Sequence, residues 1–278
     1  MHTSSAPVWN ARSLMEALAL RSEHPEATVI AGGTDIMVFL EGGALELKEV
    51  LNIWPCDELR GIETTATGLQ IGALCTWTDI KNHPNTPSAL RECARTVGAA
   101  QIQNRGTVGG NIVNASPAGD SLPLWLALNA SFEVGSVRGH RMISADDFWT
   151  GYRTTALEAD ELLLAVHLQN DETLRTTYRK VGTRMAQAIS KVVLGGAIKT
   201  QGGVVTHARL ALGSVAPVPV RLAHVEKALI GRPIDPNAAE EINHDIAPID
   251  DIRSTEKYRR TVSQRIVRSW LEREAKEP

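Results

Sequence analysis

The chain is short of cysteine, of net charge and of long apolar runs, and each shortage excludes a class of protein. Its three cysteines, Cys56, Cys75 and Cys93, are dispersed and form no Cys-x-x-Cys pair. An odd, scattered set builds neither a disulfide framework nor an iron–sulfur or zinc site, so they read as reduced thiols of a cytosolic (cytoplasmic) protein. The 29 basic and 32 acidic residues leave a net charge of −3, whereas a dedicated nucleic-acid binder is strongly basic. Apolar runs such as 122–128 fall far short of the roughly 20 residues that span a bilayer. The opening Met-His-Thr-Ser-Ser-Ala-Pro lacks the basic start and apolar stretch of a secretory leader. No membrane or nucleic-acid partner is therefore expected. His-Glu-x-x-His and Gly-x-Ser-x-Gly are absent and the eight histidines are scattered, which argues against a zinc or serine hydrolase. What is there, 43% apolar and 22% charged residues, is the composition of an ordinary globular chain, long enough for one large domain or two modest ones.

Periodicity supplies the elements. A short helix is predicted over 13–20, with Leu14 and Leu18 one turn apart. Thr28 to Ala31 reads as a buried strand that runs into Gly32-Gly33-Thr34-Asp35 and then a short helix over 36–40. Strands are expected at 49–53 and 69–73, and a helix at 87–97 stopped by Gly98. From Gly98 to Asp120 no period is visible and five glycines intervene, so this stretch reads as a long functional loop. Asp120 or Ser121 is the expected cap of an apolar helix over 122–129, with Pro123 in its first turn. Arg138-Gly139 turns a hairpin between strands 131–137 and 141–143, and an apolar strand covers 161–168. The polar stretch 170–174 marks a boundary between units 1–170 and 171–278. The second unit reads as strands 176–181, 191–199 and 205–213, with a tight turn at Gln201-Gly202-Gly203. Helices follow at 219–230, 236–243 and 255–275, the last with Tyr258, Val262, Ile266, Trp270 and Leu271 on one stripe. Strands followed by helices make an α+β unit.

Two glycine segments carry the chemistry. In Val29-Ile30-Ala31-Gly32-Gly33-Thr34-Asp35, residues without a Cβ let successive N–H groups converge on an anion. The helix start beyond adds favourable partial charge. That suits a pyrophosphate, with the Thr34 hydroxyl as a further donor. A plain turn is the alternative, since the segment is neither Gly-x-Gly-x-x-Gly nor a Walker A loop. The second segment runs from Gln103 through Gly106, Thr107, Gly109, Gly110 and Asn111 to Ser116 and Asp120. Gly109-Gly110 can take a second phosphate, and Asn111, Ser116 and Asp120 can take hydroxyls; a structural loop is again the alternative. Together they point to a two-phosphate ligand with ribose or polyol groups, such as a dinucleotide. A cradle without acid–base machinery suits redox chemistry carried by the cofactor itself.

These segments resemble the flavin-binding medium subunit of the molybdenum hydroxylases, the xanthine dehydrogenase and carbon monoxide dehydrogenase family. The likeness runs nearly end to end. It includes Ala31 to Asp35, Ile71-Gly72-Ala73, Gln101 to Asn111, Ala115 to Asp120, Gly151-Tyr152-Arg153, Asp160 to Leu163, Lys180 to Arg184, and Gly213 to Pro217. It implies FAD held without a covalent bond, and a two-lobed α+β FAD-binding domain (PCMH-like) followed by a smaller α+β domain with an antiparallel sheet and helices. Val29 to Asp35, Gly106, Thr107, Gly109, Gly110, Asn111, Ser116 and Asp120 would hold the cofactor. Leu163 and Lys180 match residues that approach the flavin, although core packing for Leu163 and a solvated charge for Lys180 stand as alternatives. The resemblance further implies electron transfer from the iron–sulfur clusters of a partner through FAD to NAD or oxygen. A large molybdopterin-binding subunit and a small 2Fe-2S subunit would complete a heterotrimer or its dimer.

Departures sharpen the expectation. Thr34-Asp35 stands where the carbon monoxide branch tends to place His-Ser, which leans toward substrates that are purines or other aromatic heterocycles. Dispersed cysteines argue against the extra cluster of aromatic-thioester reductases. Gln103 replaces a frequent arginine. The rival readings are a self-sufficient flavin oxidoreductase of related fold and a non-catalytic nucleotide-binding module.

Overall fold

The computed structural model describes residues 6–184 and 187–276; residues 1–5 of the opening segment read above lie outside them. The first lobe is a βαβαβ run: β1 (Val8–Asn10), α1 (Leu14–Glu23), β2 (Thr28–Ile30), α2 (Ile36–Glu41) and β3 (Val50–Asn52). Its strands pair in parallel in the order β1-β3-β2. The Ser13 side chain caps α1 by accepting from the Glu16 amide, a hydroxyl satisfying one of the free N–H groups of a helix start.

The second lobe begins with β4 (Ile62–Thr64) and β5 (Gly68–Gly72), then passes through five helices. These are α3 (Trp77–Asn82), α4 (Ser88–Thr96), α5 (Ala100–Gln103), α6 (Val108–Asn114) and α7 (Leu122–Ala127). The hairpin β6 (Ser131–Ser136) and β7 (Gly139–Ser144) follows, then α8 (Ala145–Phe148), the short pair β8 (Trp149–Gly151) and β9 (Thr154–Thr155), and β10 (Leu162–Gln169). The sheet is antiparallel in the order β4-β5-β10-β6-β7. The C-terminal part is a second antiparallel sheet, β11 (Arg175–Val181), β12 (Val192–Gln201), β13 (Val204–Gly213) and β14 (Val220–Arg221). It is covered by α9 (Ala223–Leu229), a 3-10 run over Pro236–His244, and α10 (Glu256–Glu274). The architecture is the expected α+β. Gly202 and Gly203 both take positive φ, +59° and +79°, the conformation of a type I′ hairpin turn.

Every residue of α7 is buried, and the helix sits between the second lobe and the faces of β12 and β13. Gly195 makes the approach possible. A Cβ there would stand 2.7 Å from Leu124 Cα and 2.8 Å from its amide nitrogen, and backbone cannot yield as a side-chain tip can. Gly195→Ala should therefore lower the unfolding free energy by about 1–3 kcal/mol, read from denaturant midpoints. Polar bridges accompany this contact. Arg209 donates to the Leu126 carbonyl at 2.9 Å and to Asp146 at 2.8 Å, and Arg221 reaches Asp146 at 3.1 Å.

Four expectations are corrected. The stretch 98–120 is not one loop, because α5 and α6 lie inside it. Pro219 to Leu222 is not helical; Val220 and Arg221 pair with Leu212 and Ala211 as an edge strand. On α10 the expected stripe holds in part: Trp270 and Leu271 are buried and Val262 and Ile266 pack half-buried on the core, but Tyr258 is exposed, and Arg259, Ser263, Val267 and Glu274 join the buried face. Arg259 is buried because its guanidinium is paired, with Asp251 at 2.7 Å and the Ser214 carbonyl at 2.8 Å. Finally, Ser121 does stand at the N-cap of α7, but its side chain makes no capping hydrogen bond. The Ser121 hydroxyl instead accepts from Trp125 Nε1 and donates to Asn111 Oδ1.

Candidate functional site

A cavity of about 1600 Å³ runs between the two lobes and out to the loops that follow β11 and β13. Both glycine segments line it. Of the sequence-predicted site residues, all but Ile30 and Lys180 are among those facing it. Ile30 is excluded by the period of a strand, since Val29 and Ala31 face the cavity and the residue between them turns away.

The two segments touch each other. A Cβ on Gly32 would fall 1.7 Å from the Arg105 carbonyl oxygen, so the first turn lies directly against the backbone of the second segment. A Cβ on Gly106 would stand 3.3 Å from Thr34 Oγ1. The segments nevertheless differ in kind. Gly33 is left-handed, at φ +77°. Among the described residues, the amides of Gly32, Gly33, Thr34 and Asp35 find no partner within the chain. Successive open N–H groups around a left-handed residue form a concave anion site.

The second segment spends its amides internally. Gly109 donates to the Ala73 carbonyl at 2.8 Å, Gly110 to Thr107 Oγ1 at 3.0 Å, and Asn111 to the Thr107 carbonyl at 3.1 Å. The expected second phosphate nest at Gly109-Gly110 is thus replaced by the first turn of α6, capped by Thr107. Its glycines serve close approach: a Cβ on Gly109 would stand 2.8 Å from Ala73 Cβ and from the Ala73 carbonyl oxygen.

Braces that local sequence did not reveal fix the rim. Asn114 Nδ2 donates to Asp35 Oδ2 at 2.7 Å, and Arg153 donates to Asn114 Oδ1 at 2.9 Å. Arg153 itself is left-handed, φ +52°, and its guanidinium lies 5.1 Å from the Phe39 ring centroid. Burial raises the Asp35 carboxyl above its ordinary range and Arg153 opposes that. Arg141 grips the cavity-wall carboxylate Glu161 through Nε and Nη2 at 2.7 and 2.8 Å. The only visible signal for Asn114 and Arg153 was their place inside or beside motifs; what joins them is tertiary.

Asp120 forms part of the floor, with Leu163 of β10 also buried there. Burial pushes the Asp120 carboxyl up to about 6, against the opposing pull of Lys180. Lys180 is not a solvated charge. Its ammonium donates to Asp120 Oδ2 at 2.6 Å and to the Thr96 carbonyl at 2.9 Å, at the C-terminal end of α4, where cations are favoured. It stands behind Asp120 rather than on the cavity surface. Gln103 likewise looks away from the cavity, donating to the carbonyls of Arg95 and Val97 and accepting from Lys81. All three cysteines are buried and free, and burial raises their thiols, Cys75 to about 11. The sheet also gathers two of the scattered histidines, His140 and His167, onto Glu133 at 3.0 and 2.9 Å, outside the cavity.

Residues 3–169 match the family model described as the FAD binding domain in molybdopterin dehydrogenase, and residues 176–273 match the CO dehydrogenase flavoprotein C-terminal domain. The chain is an FAD-binding subunit of the molybdenum hydroxylase family. As such it is a subunit of an oxidoreductase. It is 32% identical over 259 residues to the xanthine dehydrogenase FAD-binding subunit of Escherichia coli O157:H7, covering 90% of this chain and 89% of that one. It is 33% identical over 260 residues to the glyceraldehyde dehydrogenase medium chain of Sulfolobus acidocaldarius, covering 91% and 92%. Among solved structures, carbon monoxide dehydrogenase from Hydrogenophaga pseudoflava, in a form lacking the Mo-pyranopterin moiety, superposes with a TM-score of 0.91 at 26% identity over 97% of this chain and 96% of that one. The flavoprotein subunit's cavity fits the cofactor of its family. Its volume exceeds the roughly 300–1,000 Å³ of ordinary ligand pockets, and its open amides suit a diphosphate.

Proposed function

We propose that this subunit relays electrons from the iron–sulfur clusters of a small 2Fe-2S partner, through FAD, to NAD or oxygen. In this reading a large molybdopterin-binding partner oxidises the organic substrate, and the three chains form a heterotrimer or its dimer. The observation that carries it is the contrast between the segments: the cavity-lining Gly32 to Asp35 leave their amides without a partner in the chain, while the amides of Val108, Gly109, Gly110 and Asn111 are taken up by Cys75, Ala73 and Thr107. The first segment would bind the diphosphate. Asn111, Ser116 and Asp120 lie along the wall and floor where hydroxyls and ring edges would rest. Lys180 would act through Asp120 by setting its charge. Leu163 would pack against the cofactor. Bound FAD supplies two-electron storage with exchange of single electrons; the chain's residues hold and orient it and tune the field around it. Among the described residues facing the cavity there is no histidine or cysteine, which supports retention without a covalent link.

The organic substrate belongs to the molybdenum partner in this reading. Relatives named for xanthine and for glyceraldehyde are almost equally similar to this chain. The lean toward purines or other aromatic heterocycles therefore rests on Thr34-Asp35 alone. The test is a visible spectrum of the purified chain, before and after reconstitution with FAD. Flavin absorbance that survives gel filtration and disappears on acid precipitation of the protein is the expected result; no absorbance after reconstitution overturns the reading. Oxidation of an organic donor by the isolated chain would favour a self-sufficient enzyme. Equal retention of ADP and FAD in equilibrium dialysis would favour a non-catalytic nucleotide module.

A further inference from the structure

Arg105 is the one cation of the second glycine segment between Gln103 and Asn111, and a phosphate-binding role would be the natural guess. The structure turns it the other way. Arg105 is exposed and is not among the residues facing the cavity. Its guanidinium carbon lies 3.8 Å from the centroid of the Trp54 ring, and that of Arg60 lies 4.3 Å from the same centroid. The half-buried indole thus carries both guanidinium groups against its ring. Arg60 is itself fixed. It donates to the Trp54 carbonyl at 2.8 Å and the Leu74 carbonyl at 3.2 Å, and it pairs with Asp57 at 3.4 Å.

The other side of Arg105 is its carbonyl, the atom against which Gly32 is packed. The Arg105 and Gly106 amides both donate to the Ile102 carbonyl, at 3.1 and 2.6 Å, so little freedom remains between side chain and carbonyl. A guanidinium pinned outside the cavity therefore fixes the carbonyl against which the cavity-lining Gly32 is packed. We propose that Trp54 is a positioning residue for the dinucleotide cradle: by clamping Arg105 it holds the second glycine segment at the separation from Gly32 to Asp35 that a diphosphate requires. The inference rests on the FAD reading above.

The test is FAD affinity of the full-length apoprotein, titrated by flavin fluorescence, with apoprotein melting temperature measured alongside. A tryptophan face attracts a guanidinium more strongly than a phenylalanine face, and leucine has no such face. Trp54→Leu and Arg105→Met should each weaken FAD binding by about tenfold, and Trp54→Phe should lose clearly less. The double variant Trp54→Leu/Arg105→Met should bind no worse than either single one, because both remove the same contact. Arg105 is exposed, so its variant reports on the stack even if the Trp54 substitutions lower the melting temperature. Unchanged affinity in Arg105→Met, additive losses in the double variant, or Trp54→Phe binding as poorly as Trp54→Leu would each overturn the inference. Failure of the wild-type chain to bind FAD would overturn the FAD reading instead.

Discussion

Gly32→Ala should strip the protein of FAD. The added methyl would sit 1.7 Å from the Arg105 carbonyl oxygen and 2.6 Å from its carbon, far inside any van der Waals contact. Both groups are main chain, so relief requires the two glycine segments to part. Overpacking of this kind costs about 1–3 kcal/mol or more, and here the displacement opens the site itself. A loss of affinity on the order of a hundredfold follows, since each 1.4 kcal/mol is tenfold. The neighbouring Gly33→Ala is the control that separates crowding from strain. Its Cβ would meet only Met37 Cγ, at 3.8 Å, but its φ of +77° is left-handed. That costs about 1–2 kcal/mol, so the loss should be nearer tenfold. The ratio of flavin to protein absorbance in the purified variants checks both. Equal losses would mean that contact between the segments does not govern binding.

Lys180→Met should destabilise the chain strongly at pH 8 and much less at pH 5. The Lys180 and Asp120 side chains are 8% and 12% exposed, and removing one partner of such a pair costs about 3–5 kcal/mol because the other charge stays buried alone. The sign of the pH effect follows from Asp120, whose carboxyl burial raises to about 6. A carboxyl raised in the folded state binds its proton more tightly there than in the unfolded chain. Its contribution to stability is therefore greatest at low pH and falls as pH rises between about 4 and 6. Without the ammonium the carboxyl moves higher still. At pH 5 it is protonated and neutral in the variant, so little charge is left stranded. At pH 8 the variant must either bury a bare carboxylate or hold a proton against the solvent. Denaturant midpoints at the two pH values give the comparison, and an equal loss at both would refute the assignment of Asp120 as the group concerned.

Sequence patterning reached the frame more readily than the joints. The strand running into Gly32-Gly33-Thr34-Asp35 was legible because an apolar run, a glycine pair and a new apolar run follow in order, and β2 and α2 lie there. The helices α5 and α6 were not legible. Glycine costs about 1 kcal/mol in a helix, so Val108-Gly109-Gly110 argued for a loop. Packing of Gly109 on Ala73 and the Thr107 cap outweighed that local cost. The α10 stripe missed its start because an arginine was counted as a surface residue and Tyr258 as a buried one, and only the fold shows Arg259 meeting Asp251 and Ser214. The site divides in the same way. The glycines could be named from sequence, but which amides remain open could not, because that depends on distant partners such as Ala73. The Arg105–Trp54 contact joins residues about fifty positions apart, and no local pattern announces it.

The Asp120–Lys180 contact joins the second glycine segment to β11 of the C-terminal sheet, and Ser190 adds a hydrogen bond to the Ala118 carbonyl at 3.1 Å. A truncation product ending at residue 170 would keep both glycine turns and yet lose the counter-ion beneath them. Shuffling modules among related flavoproteins meets the same obstacle: a grafted N-terminal half must arrive with a lysine-bearing strand of matching register, or leave a carboxylate stranded in the graft.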